Sequence, residues 1–288
     1  MRNVVKRLSS NLQHIHLSSP ITSIKPDAED SRLVSISCLT NDQVVVHDGF
    51  RHIIFATQAS GAAPLLTTYL ESLPHSLSPR KETTAQLVKC LRAFEYRPSI
   101  VINHTDSSLL PDDDRDVREL NLISLASDST CSKTKSIPDS SSLTISPTYT
   151  MATHILRRPQ GYPSSQPTVY QTTNPIIPPQ KETVISVATL ERAVVTMDSK
   201  KALASLCTED SKRWWQCPYQ AKTRLGTLQG GRSATDPYAP GIWICGSYAH
   251  LGIPLLEGCV ISARNVVEKG VLKSEGVRWR EEPWITDY

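Results

Sequence analysis

The chain has 288 residues, 39% of them hydrophobic and 20% charged, which is enough for one large globular domain or two small ones. Its formal net charge of +3 is small and its basic residues are scattered, with no basic block interleaved with aromatics, so nucleic acid is not expected as a partner. Seven cysteines with no C-x-x-C pair argue against a disulfide framework or zinc site. Residues 1–7 carry no signal-peptide core and no apolar run approaches about 18 residues. No membrane span and a cytoplasmic, reducing location are therefore expected.

Val4, Val5, Leu8 and Leu12 predict a short amphipathic helix over residues 3–13. Short strands are expected at His14–Leu17 and Ile21–Ile24, then a polar turn at Lys25–Asp30. Leu33–Leu39 alternates as a half-buried strand does, and Gln43–His47 follows, giving an antiparallel meander. His52–Gln58 has a continuous apolar core and reads as a strand buried on both faces, as in a parallel sheet. Helices are predicted over 61–73 and 80–96, then a strand at Ser99–His104.

Residues 112–148 combine the acidic run Asp112–Asp116 with a Ser/Thr-rich stretch and read as a flexible, solvated loop. Strands follow at Met151–Leu156, Thr168–Thr172 and 183–196, then a helix at Ser199–Leu206. A short helix is expected near 215–228, and the tail 273–288 lacks periodicity. The mixture of meander, parallel-like strands and helices predicts an α/β fold, or mixed α+β.

The most informative stretch is Ile242–Asn265. Four apolar residues run into Gly246, a position that tolerates unusual backbone angles. Gly252 and Pro254 shape a loop, and a helix is predicted to open at Pro254. Gly258 and Ser262 lie four apart on one face of that helix, allowing close packing. Backbone N–H groups near Leu255 and Leu256 would face the strand's carboxyl end, the usual ligand side of an α/β sheet.

Residues 245–266 closely resemble the C-terminal FAD-binding segment of the flavin-containing amine oxidase superfamily, in the branch of NAD/FAD-binding oxidoreductases. Other strings agree in order. Ile53–Gln58 resembles a "VIFATQA" strand and Pro20–Ile24 a "V–I" strand. Asn103–Pro111 resembles an "HTD–LLP" element, followed by Thr153-His154, Tyr170–Pro175 and Leu190–Ala193.

The resemblance implies a partial, Rossmann-like FAD-binding domain with a substrate domain built on an antiparallel or mixed sheet. It implies the boundaries 1–75 and 201–272 for FAD-binding segments, 76–200 for the substrate segment and 273–288 for the tail. By the same resemblance Leu256, with Pro254, Leu255 and Gly258, would meet the pyrimidine end of the flavin. Gly246 and Ser247 would approach the ribityl chain and diphosphate, with Tyr248 in the same cofactor-binding set, Ala56 and Thr57 the diphosphate, and Ile21 the adenine. The implied activity is flavin-mediated hydride abstraction from a small organic substrate, with chemistry carried by the cofactor.

Two departures stand beside the resemblance. None of the 12 glycines builds the G-x-G-x-x-G turn that cradles the diphosphate in that family. Val117, Leu120 and Leu122 stand where the family carries large aromatics. A truncated enzyme and a non-catalytic remnant or interaction module are therefore both carried forward. No catalytic acid or base is assigned. His104, Asp106 and His154 lack the tight spacing of a metal or acid–base set and read as structural groups. Tyr170 and Tyr248 are candidates for a flavin face, or for the core.

Overall fold

The computed structural model describes residues 2–124, 150–157, 166–209, 223–232, 236–252 and 254–278. In chain order the first elements are α1 (Arg2–Ser9), β1 (Ile21–Pro26), β2 (Val34–Thr40), β3 (Gln43–Phe50), β4 (His52–Phe55), α2 (Ala59–Ser72) and α3 (Ser78–Arg92). Then come β5 (Glu95–His104), β6 (Leu120–Ile123), β7 (Met151–Ile155), β8 (Tyr170–Thr173) and β9 (Val184–Val194). The last are α4 (Met197–Leu203), β10 (Cys207–Glu209), β11 (Thr223–Leu225), β12 (Gly241–Ile244), α5 (Leu256–Asn265) and α6 (Leu272–Ser274). A π-helical turn, Val266–Val271, joins α5 to α6.

The fold is mixed α/β with several sheets. The chain divides into two compact units, residues 1–95 with 193–288, and residues 96–192. Helix α3 stays with the first unit because it packs on α2.

In the first unit β1, β2 and β3 form the expected antiparallel meander. Helix α2 packs on β1 and α3. It buries Ala59, Ala62, Ala63, Leu66 and Tyr69, a stripe at helical spacing. Helix α3 buries Thr84, Leu87, Val88 and Leu91 on the same period, with Arg80. The buried Arg80 guanidinium donates to both Asp236 carboxylate oxygens and to the Ser31 carbonyl, tying α3 to two loops. Helix α4 opens on a capping box between Thr196 and Ser199.

The second unit holds one five-stranded sheet, ordered β6-β7-β8-β5-β9, with β6, β7, β8 and β5 paired antiparallel. Its buried face carries a polar chain. His104, fully buried, lies 2.7 Å from Thr172 Oγ1, which lies 2.9 Å from Thr153 Oγ1.

Five local expectations are corrected. His14–Leu17 forms no strand: Leu17 is 80% exposed, and a strand needs a neighbour that this segment lacks among the described residues. Leu120–Ile123, placed in the loop 112–148, pairs with β7 as β6; residues 125–148 lie outside the described set. Thr223–Leu225, placed in a helix, pairs with β10; residues 215–222 lie outside the described set. β4 is buried on one face only, because Ile53 and Phe55 point inward while Ile54 points the other way and is 42% exposed. Finally, α5 opens at Leu256 rather than Pro254, since Leu255 keeps an extended backbone as the N-cap.

Candidate functional site

β4 and β12 run parallel, with Ile53 opposite Ile242 and Phe55 opposite Ile244. The ladder ends where the Cys245 N–H donates to the Phe55 carbonyl at 2.9 Å. The two strands therefore release their chains side by side: Ala56-Thr57 from one, Gly246-Ser247 from the other. Carboxyl ends of adjacent parallel strands are where open α/β sheets bind ligands.

Gly246 has φ +148° and ψ 174°. A Cβ there would lie 3.0 Å from the Tyr248 ring in a backbone region that side chains rarely adopt. Tyr248 is buried and meets Phe94 edge-on, with ring centroids 5.1 Å apart. Residues Ser247–Ala249 make a single 3-10 turn, and Gly252, at φ +119°, has open space around it. The chain then enters α5, whose first turn carries Glu257. A carboxylate there already complements the positive end of the helix dipole, so this N-terminus suits a neutral acceptor such as a ring carbonyl better than a second anion.

Ser262, one turn after Gly258, holds the turn to the helix. Its hydroxyl accepts the Gly246 N–H at 2.9 Å and shares its proton between the Gly246 and Cys259 carbonyls at 3.0 and 3.1 Å. Gly258 is buried, and a Cβ on it would lie 3.3 Å from the His250 ring. His250 Nδ1 is itself buried and has no hydrogen-bond partner among the described residues. A buried, unpaired imidazole nitrogen beside a helix opening is a donor or acceptor available to a ligand.

The structure thus gathers Ala56, Thr57, Gly246, Ser247 and Tyr248 at two strand ends, with Pro254, Leu255, Leu256 and Gly258 following. Leu255 and Leu256 are 56% and 66% exposed. Ile21 is not joined to them by pairing: it lies in the meander, opposite Cys38. The Ser262 clamp and the His250 nitrogen were missed from sequence, because a lone hydroxyl and a lone imidazole carry no periodic signal.

At the other end of the same strands lies a second constellation that spacing did not reveal. The Trp243 indole N–H donates to His52 Nδ1 at 3.1 Å, which leaves His52 Nε2 to donate to Glu275 at 2.8 Å. Arg51 reaches the other Glu275 oxygen at 2.8 Å. The hydrogen bond from His52, then that from Arg51, holds the Glu275 carboxyl below its ordinary range. This cluster ties the end of α6 to the start of β4.

His104, Asp106 and His154 do not converge. The backbone N–H of Asp106 donates to His104 Nδ1 at 3.2 Å, so the imidazole is neutral with its proton on Nε2. Burial lowers its pKa, against a smaller opposing effect from the Asp106 carboxylate. Asp106 accepts from the Gln180 N–H at 2.8 Å and from both donors of Ser108, which holds its carboxyl below the ordinary range. His154 is exposed on β7, opposite Leu120 and Gln171. Tyr170 packs on His104 in its own sheet. Among the described residues no three metal-ligating side chains cluster, and no helix is long and apolar enough to cross a membrane.

No protein-family model and no curated protein sequence matches this chain.

Proposed function

We propose that the chain is a flavin-dependent oxidoreductase of the amine-oxidase type, with the β4–β12 pair as part of a Rossmann-like FAD-binding domain. The observation that carries this reading is the joint geometry at the strand ends: two parallel strands, Gly246 at φ +148°, and a helix opening just beyond it.

The residues present fit one end of the cofactor. Leu255, Leu256 and Gly258 offer backbone donors at an N-terminus suited to a neutral ring carbonyl, and the unpaired His250 nitrogen lies beside it. Gly246, Ser247 and Tyr248, with Ala56 and Thr57, would line the path toward the diphosphate, and Ile21 would lie toward the adenine. When bound, FAD would supply the hydride acceptor for a small organic substrate. The protein's part is to hold the ring edge and exclude water. A cytoplasmic location fits this role.

The second reading is a flavoprotein remnant or interaction module that does not bind FAD alone. Two observations favour it. The parallel sheet has two strands among the described residues, leaving Ile54, Leu256 and Val260 exposed. No Gly-rich diphosphate cradle occurs in the sequence. Each charge-assisted hydrogen bond such a cradle would make is worth about 1.5–3 kcal/mol, so its lack costs several orders of magnitude in affinity.

The test is to add FAD to the purified chain, remove free flavin by desalting, and record the visible spectrum and bound stoichiometry. A bound flavin near one equivalent, with a spectrum distinct from free FAD, supports the first reading. A colourless protein supports the second.

A further inference from the structure

We propose that the cleft between α2 and the end of α3 binds a small organic anion: a carboxylate carried on a compact apolar body. The cleft is open to solvent and offers about 420 Å³, within the size range of small-molecule sites. Its apolar lining includes Ala63, Leu91 and Phe94, all buried.

Arg92, Thr67 and Ser60 bring polar groups to the same wall. The Thr67 hydroxyl gives its proton to the Ala63 carbonyl at 2.8 Å, so its oxygen accepts from Arg92 Nη2 at 3.2 Å. That contact anchors the guanidinium against the cleft through one of its N–H groups. Among the described residues no carboxylate pairs with Arg92. An oriented guanidinium with no acid beside it, above an apolar floor, matches a planar carboxylate bidentately while the floor takes an aliphatic or aromatic body.

The placement gives the cleft a functional neighbour. Phe94, on its lining, is the residue that meets Tyr248 of the Gly246 turn. The inference does not rest on the flavin reading, and its test uses the full chain without FAD, so either can fail alone.

The experiment is calorimetric titration with phenylacetate and, as the neutral isostere, phenylacetamide. We expect the acid to bind about tenfold or more tightly than the amide, the difference one charge-assisted interaction makes. Arg92 is exposed, so Arg92→Gln should fold as the parent does; it should bring the acid to the affinity of the amide and leave the amide unchanged. Ser60→Phe, which crowds the cleft wall from an exposed position, should weaken both. Equal affinity for acid and amide would overturn the proposal. So would an acid preference that survives Arg92→Gln, or no saturable heat up to about 10 mM ligand.

Discussion

The Ser262 hydroxyl closes on both backbone groups of Gly246, 2.9 Å from its nitrogen and 3.0 Å from its carbonyl oxygen. One side chain on α5 therefore fixes the turn at the end of β12. Ser262→Ala leaves the Gly246 N–H without its acceptor, and we expect a loss of about 1–3 kcal/mol in urea unfolding. Gly246→Ala should cost a similar amount, about 1–3 kcal/mol, because it forces a side chain into a sparsely populated backbone region. It should also crowd the Tyr248 ring. An unchanged unfolding midpoint in both variants would remove the clamp from the account of this site.

Trp243 sits in a cage of glycines. A Cβ on Gly230 would lie 2.9 Å from its ring, and Cβ atoms on Gly241 or Gly270 would collide with the indole. Gly270 belongs to the π-helical turn, so the widened turn passes the indole at a residue without a side chain. Gly270→Ala should destabilise the chain by about 1–3 kcal/mol, the usual cost of overpacking a core. The tryptophan emission should shift as the indole loses its packing. A variant with parental emission and stability would contradict this.

Acid should weaken the second unit in two steps. His104 is held neutral by burial, so its pKa is lowered in the folded chain. The unfolded chain then binds more protons below the ordinary value of 6.5, and stability falls as the pH drops from there toward the lowered folded value. Asp106 has the opposite charge type but the same sign of effect: its lowered pKa contributes stability that is full above 3.8 and is lost as the pH falls through the folded value beneath it. His104→Gln should flatten the first limb and Asp106→Asn the second, read from unfolding free energies measured across the pH range. Nitrogen NMR should find the His104 proton on Nε2.

Arg80 is 4% exposed and is the buried cation of a pair with Asp236, whose side chain is 16% exposed. Arg80→Met removes the charge and the hydrogen bonds that Arg80 gives to Asp236 and to the Ser31 carbonyl. We expect a loss of about 2–3 kcal/mol, below the about 3–5 kcal/mol of a fully buried pair because Asp236 is partly exposed. The double variant Arg80→Met with Asp236→Leu should recover part of it, which a double-mutant cycle would measure.

Burial raises the Cys90 thiol to about 11, and it raises Cys207 and Cys245 as well. The reactive species is the thiolate. Native Cys90 should therefore escape alkylation at mildly alkaline pH and react only on unfolding, as mass spectrometry of labelled peptides would report. Rapid labelling of Cys90 in the folded chain would show that α3 opens readily.

Much of the local structure was legible because it is periodic. The buried stripes of α2 and α3 stand in the sequence at helical spacing, and Leu33–Leu39, the β2 segment, alternates between turn residues. The strand ending at Gly246 was legible too, from four apolar residues before a glycine. Short elements were not. β6 is four residues beside an acidic run, and β11 is three residues, too few for a period to register. The start of α5 was misplaced because Pro254 satisfies the rule for a first helical residue, while the N-cap is Leu255.

By itself the sequence determined the class of fold, the position of the Gly246 turn and the small-residue face of the helix after it. These depend on propensity and period, which act over a few residues. Only the tertiary structure decided that β4 pairs with β12, that Ser262 closes on Gly246, and that the His104 proton rests on Nε2. It also decided that Trp243, His52 and Glu275 meet. His52 and Trp243 are joined by one hydrogen bond across 191 positions of chain. Such a bond depends on donor and acceptor arriving in register, and that register is set by the packing of whole elements, not by any pattern local to either residue.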